Sequence, residues 1–178
     1  MPDGIVSDMP MVREVTDERD AILAFLAEQR DGVANALRGL TDEQAAAKPS
    51  ASKLSLGGLV KHLTACERRW VVVSVAGRAD PDLWPVLDWD AEFQLTTEDT
   101  VASLLAGYAA VARETEEIVR RVDDLGAPAG TDPDFQRSIR WVLMHLIEET
   151  ARHAGHADII RESLDGADAH GVAGQAIR

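Results

Sequence analysis

Apolar residues along this chain recur near the helical period of about 3.6 wherever the pattern is strong. Ile22, Leu23, Phe25, Leu26, Val33, Ala36 and Leu37 make one stripe, which predicts a helix from about Asp17 to Arg38. Thr41-Asp-Glu-Gln44 has the spacing of a capping box, in which each terminal side chain satisfies the other's backbone N–H. It predicts a short helix that ends before Pro49, because the residue preceding a proline is pushed out of the helical region. Ser55 reads as the N-cap of a second long helix carrying Leu56, Leu59, Val60 and Leu63 and ending near Gly77. From Arg78 to Thr96 the period breaks, and Pro81, Trp84, Pro85 and Trp89 mark a long crossover. Loops of that length usually carry function or pack over something. Thr96-Thr-Glu-Asp99 is expected to cap a third long helix reaching about Val122. Asp124 to Asp134 reads as a Gly/Pro-rich turn, and the last helix as running from about Ser138 to Leu164 with Gly166 as its stop. The tail after Asp165 is small and polar, and is expected to be flexible.

Four long helices of roughly 20 to 27 residues span about 30 to 40 Å each at the α-helical rise. They predict an all-α four-helix bundle with a long crossover between its second and third long helices. At 178 residues the chain reads as a single domain, with a core from about Glu14 to Gly166.

Charge and cysteine content narrow the setting. The formal net charge is −13, and no Lys/Arg cluster interrupts it. Nucleic acid and anionic membrane surfaces are therefore excluded as expected partners. No apolar run approaches the ~18 residues of a spanning helix, and Met1 to Asp8 has neither the basic start nor the apolar stretch of a signal peptide. Cys66 is the one cysteine, so no internal disulfide can form. A cytoplasmic location is the expectation, and a homodimer remains open.

The candidate chemistry lies in His145-Leu-Ile-Glu-Glu149-Thr-Ala-Arg-His153-Ala-Gly-His156. His145, Glu149 and His153 are each four apart, so on a helix they share one face. His62 sits among Leu59, Val60 and Leu63 on the second long helix. Singly, each has a plainer reading: a lone His on an apolar stripe is usually a hydrogen-bonded core residue, and a Glu on a helix is usually solvated. Taken together, His62, Glu149 and His153 offer two imidazoles and a carboxylate, a composition found in catalytic zinc sites that keep a position open. A shared cation would satisfy groups that are costly to bury alone. Cys66, one turn after His62, is a rival ligand or a small packed thiol. His145 and His156 are candidates for outer partners that orient the ligands, with a site acid/base or a plain surface histidine as the other readings of His156. Gly155, in mid-helix, is expected to mark close approach of another helix. Trp70, Trp84, Trp89 and Trp141 read as core and rim packing, with Trp84 or Trp89 as a ligand platform in the alternative.

Leu56-Gly-Gly-Leu-Val-Lys-His-Leu-Thr-Ala-Cys-Glu-Arg-Arg-Trp70 and Ile139-Arg-Trp-Val-Leu-Met-His-Leu-Ile-Glu-Glu-Thr-Ala-Arg-His-Ala-Gly-His-Ala-Asp-Ile-Ile-Arg-Glu162 together resemble the DinB-like superfamily. Within it the chain looks most like the mycothiol S-transferase branch, over about Asp17 to Gly166. That resemblance implies a four-helix bundle holding one divalent metal, zinc or nickel, on three side chains. Many members place two histidines four apart on the last helix. Here Glu149 and His153 stand in those positions, with His62 as the ligand of the second helix. The His, Glu, His set resembles that of mycothiol-dependent maleylpyruvate isomerases. Thr150 and Ala154 depart from the family's aromatic and Asn, which bears on substrate choice more than on the ligands.

The implied chemistry is activation of a low-molecular-weight thiol, mycothiol, for attack on a small electrophile. A free thiol with a pKa of about 8.5 is only a few per cent thiolate at neutral pH, and a bound cation favours the anion. A non-catalytic metal-binding bundle in a stress response and a metallohydrolase with a metal-activated water are the rival expectations.

Overall fold

The computed structural model describes residues 12–130 and 136–167. The expected flexible tail and part of the expected Asp124 to Asp134 turn lie outside the described residues. Five α-helices are described: α1 (Glu18–Leu37), α2 (Asp42–Ala46), α3 (Leu56–Arg68), α4 (Val101–Arg120) and α5 (Ile139–Asp165). Two-residue strands β1 (Pro128–Ala129) and β2 (Arg137–Ser138) pair antiparallel before α5. The architecture is an all-α bundle, in which α1 packs along α5, α3 packs along α4, and α3 also meets α5.

Local chemistry explains most helix starts. Asp17, Thr41, Ser55 and Ser138 each accept a hydrogen bond from a backbone N–H in the first turn of the helix they precede. The Thr41/Gln44 capping box forms as expected. Gly166 ends α5 with φ 78°, a left-handed conformation that costs glycine little.

Two boundaries differ from expectation. The third long helix is capped by Thr100 and not by Thr96, and Thr100 forms a capping box with Ser103. Asp99 is engaged elsewhere: its carboxylate accepts from the Thr96 N–H at 2.7 Å and from Lys61 Nζ at 2.8 Å. The Thr96–Asp99 stretch is therefore a separate turn pinned to α3. The second long helix does reach the region of Gly77, but as α3 followed by a π-helical segment, Arg69–Val75. Its wider turn is carried by bonds such as Ala76 N–H to Val71 C=O, 2.9 Å.

The core has two apolar halves. One gathers Leu26, Val71, Val119, Val142, Leu143 and Leu146; the other gathers Val33, Leu37, Leu59, Val60, Tyr108 and Ile160. Between them each long helix contributes a buried polar residue: Arg30 from α1, Glu67 from α3, Thr115 from α4, and Thr150 and His153 from α5. Glu67 pairs with the Arg30 guanidinium, the Arg30 Nε bond being 2.9 Å, and also accepts from the Thr115 hydroxyl. This polar layer locks α1, α3 and α4 in register beside the site.

Candidate metal centre

His62 comes from α3, and Glu149 and His153 from successive turns of α5. His62 Nε2 lies 3.3 Å from Glu149 Oε1, and His153 Nε2 lies 3.2 Å from the same oxygen. One ligand atom from each residue lies within 4.8 Å of the others. Two ligands on one tetrahedral ion at zinc–nitrogen and zinc–oxygen lengths would be about 3.4 Å apart, so the spacings suit a common cation. Both histidines are buried, and Glu149 is half-buried. Hydrogen bonds from His153 and then His62 hold the Glu149 carboxyl well below its ordinary range. It is a carboxylate at neutral pH.

The hydrogen-bond pattern supplies a second test of fit. His62 faces a carboxylate on each ring nitrogen: Glu92 Oε2 lies 2.9 Å from Nδ1, and Glu149 Oε1 lies 3.3 Å from Nε2. A neutral imidazole has one N–H and cannot donate to both. A cation held by His62 and Glu149 on the Nε2 side would resolve the conflict without a second ring hydrogen. The donor set and its surroundings therefore fit a divalent metal.

His156 stands beside the triad, its Nδ1 3.3 Å from His153 Nδ1. Burial first, then the neighbouring His153, lowers its imidazole below the ordinary value. His145 has other company. Its ring stacks on Trp141 at 5.2 Å, meets Trp70 edge-on at 5.3 Å, and lies 3.6 Å from Glu148. Cys66 belongs to the apolar core, where burial pushes its thiol up to about 12. It is not part of the three-residue donor group.

Several contributors escape a reading by periodicity. Glu92 and Phe93 sit on a 3-10 turn, Asp90–Phe93, inside the crossover, and Phe93 stacks on His62 with centroids 4.2 Å apart. Arg69, buried at the start of the π segment, pairs with Glu92. One signal for this packing was present, the pair Gly57-Gly58. A Cβ on Gly58 would overlap the Phe93 carbonyl oxygen, and one on Gly57 would lie 2.8 Å from Leu95 Cδ1. Gly155 was the expected point of close approach, but a Cβ there meets nothing within 4 Å. Trp84 and Trp89 are over half exposed and belong to the rim. A cavity of about 700 Å³ lies elsewhere, between α1 and α4, lined by Arg13, Arg19, Asp20 and Glu116 among others.

A helical bundle with a His, Glu, His donor set at its polar layer defines a class, the bundle proteins able to hold one cation between facing helices. Residues 21–166 match the family model described as Mycothiol-S-transferase, and the chain belongs to that family. The family name denotes an enzyme, a mycothiol S-transferase. The crystal structure of a conserved protein from Enterococcus faecalis is similar, with a TM-score of 0.65 and 15% identity, over 86% of this chain and 100% of that one. At that identity the likeness speaks for the fold alone. No curated protein matches the chain. No helix among the described residues is long and apolar enough to cross a membrane.

Proposed function

We propose that the protein is a divalent-metal-dependent S-transferase that activates mycothiol for attack on a small electrophile. The observation that carries this reading is the convergence of His62, Glu149 and His153 within 4.8 Å, in a chain of the Mycothiol-S-transferase family. The three side chains would hold the cation, with zinc the first choice and nickel the second. A cation held by three protein groups has an open position at which a thiol is favoured as its anion at neutral pH.

The residues of the chain have distinct tasks. Glu149 supplies the negative charge and spans both imidazoles through Oε1. His62 and His153 present Nε2 to the same point, while their Nδ1 atoms are engaged by Glu92 and His156. Each ring is thus held from behind, which preserves its orientation. Phe93 covers one face of His62 and keeps water from it. The crossover lies over the site, and we place the electrophile at its edge, where Trp89 is exposed.

Metal analysis of the purified protein against His153→Ala tests the ligand set. One equivalent is expected in the wild type, with near-complete loss in the variant. Turnover of an activated haloarene by the metal-loaded protein should be faster with mycothiol than with glutathione or cysteine, and near background for Glu149→Ala. A His153→Ala protein with a full complement of metal would refute the ligand assignment. Equal rates with every thiol would remove mycothiol as the specific partner.

A further inference from the structure

The crossover leaves the bundle after Val75 and returns one short segment, Asp90–Phe93, against α3. Three contacts converge on His62 and its neighbour there. Glu92 Oε2 lies 2.9 Å from His62 Nδ1, Phe93 stacks on the ring at 18°, and Arg69 pairs with the other Glu92 oxygen. Arg69 is itself fixed. Its Nε donates to the Leu83 carbonyl at 3.0 Å, and its guanidinium lies 5.1 Å from the centre of the Trp89 ring. The side chains of His62, Arg69 and Glu92 are 8%, 7% and 13% exposed. A carboxylate so withdrawn from water is costly unless both oxygens are partnered, and here they are.

The direction of the hydrogen bond matters. An ionised Glu92 only accepts, so the hydrogen it holds is on His62 Nδ1. With a cation in place of any Nε2 hydrogen, Nε2 would offer its lone pair on the side of Glu149, with the His153 ring centre 5.1 Å from that of His62. Histidines that bind metals commonly donate their other ring N–H to a carboxylate, which fixes the ring and raises the basicity of the donor nitrogen.

We propose that Glu92 is a positioning residue for the metal centre: it holds His62 as the Nδ1–H form with Nε2 presented to the cation, and Arg69 holds Glu92. This rests on the metal reading given above. The crossover thereby sets metal affinity as well as covering the site. A Glu92 that merely tied the crossover to α3 would contribute stability and leave metal affinity alone.

The test is zinc affinity, measured by competition with a chromophoric chelator, for the full chain and its Glu92→Ala, Glu92→Gln and His153→Ala variants, each with a melting curve. Glu92→Ala should still bind one zinc, about 10 to 100 fold more weakly than the wild type. Glu92→Gln, whose amide oxygen still accepts from Nδ1–H, should fall between them. Wild-type affinity in both Glu92 variants, beside a weakened His153→Ala, would overturn the positioning role and leave the metal reading standing. A wild type that takes up neither zinc nor nickel, or a His153→Ala as tight as wild type, would overturn both. The unaltered protein gives a check that no folding defect can obscure. In a histidine-ring ¹H–¹⁵N spectrum of the zinc-loaded enzyme, His62 should carry its proton on Nδ1, and a proton on Nε2 would refute the proposal.

Discussion

Glu67→Ala offers the sharpest test of what holds the bundle around its site. Glu67 is 2% exposed, Arg30 is 5% exposed and Thr115 is 0% exposed. The carboxylate accepts from the Arg30 Nε at 2.9 Å, from the same guanidinium through a second nitrogen, and from the Thr115 hydroxyl. Truncation would strand a guanidinium and a hydroxyl between two apolar half-cores. Breaking a buried pair from one side costs about 3–5 kcal/mol, because the remaining charge is left uncompensated. For a chain of this size that corresponds to a fall in melting temperature of roughly 6–20 °C. Replacing both partners by apolar residues of similar volume, Arg30→Met with Glu67→Leu, should recover most of the loss, since neither charge then has to be desolvated. Urea unfolding and thermal melting followed by circular dichroism would measure all three proteins. A Glu67→Ala loss below ~1 kcal/mol would show that the pair is effectively solvated. A double variant as unstable as the single one would show that the cost is packing and not stranded charge. Either result refutes the reasoning.

Three further outcomes follow from the geometry. Cys66→Ala should keep its full metal content at a stability cost of about 1 kcal/mol, and in the wild type iodoacetamide should label Cys66 only after unfolding, since burial holds the thiol protonated with a pKa of about 12; metal loss from a folded Cys66→Ala would make it a ligand. Gly58→Ala should push Phe93 off α3, destabilising the protein by about 1–3 kcal/mol and weakening zinc binding, as chelator competition alongside melting would register; unchanged values for both would mean that the crossover yields freely. His156→Ala should weaken metal binding about tenfold through His153, whereas His145→Ala, whose ring packs on Trp70 and Trp141, should cost less affinity than stability; the reverse order in the two measurements would exchange their roles.

The helices and the half of the site carried by α5 were legible because both depend on short spans of chain. Caps act within three or four residues, so Thr41/Gln44 and Ser55 marked their helix starts directly. The stripe from Ile22 to Leu37 needed only the helical period, and Glu149 with His153 needed only one turn of α5. Even so, the same logic placed the third long helix one turn early. Asp99 met its capping pattern locally but is bound by Lys61 from α3, thirty-eight residues earlier.

What the sequence determined by itself is therefore a set of amphipathic helices, their local caps and a pair of candidate ligands on one face. The tertiary structure decided which distant groups meet. Glu92 and Phe93 reach His62 across a separation of about thirty residues, Arg69 is turned to Glu92, and Glu67 finds Arg30 and Thr115 from two other helices. No periodicity encodes those meetings. They arise when the apolar half-cores close, because the polar groups left between them must then pair with whatever the neighbouring helices and the returning crossover supply, or bear the cost of burial alone.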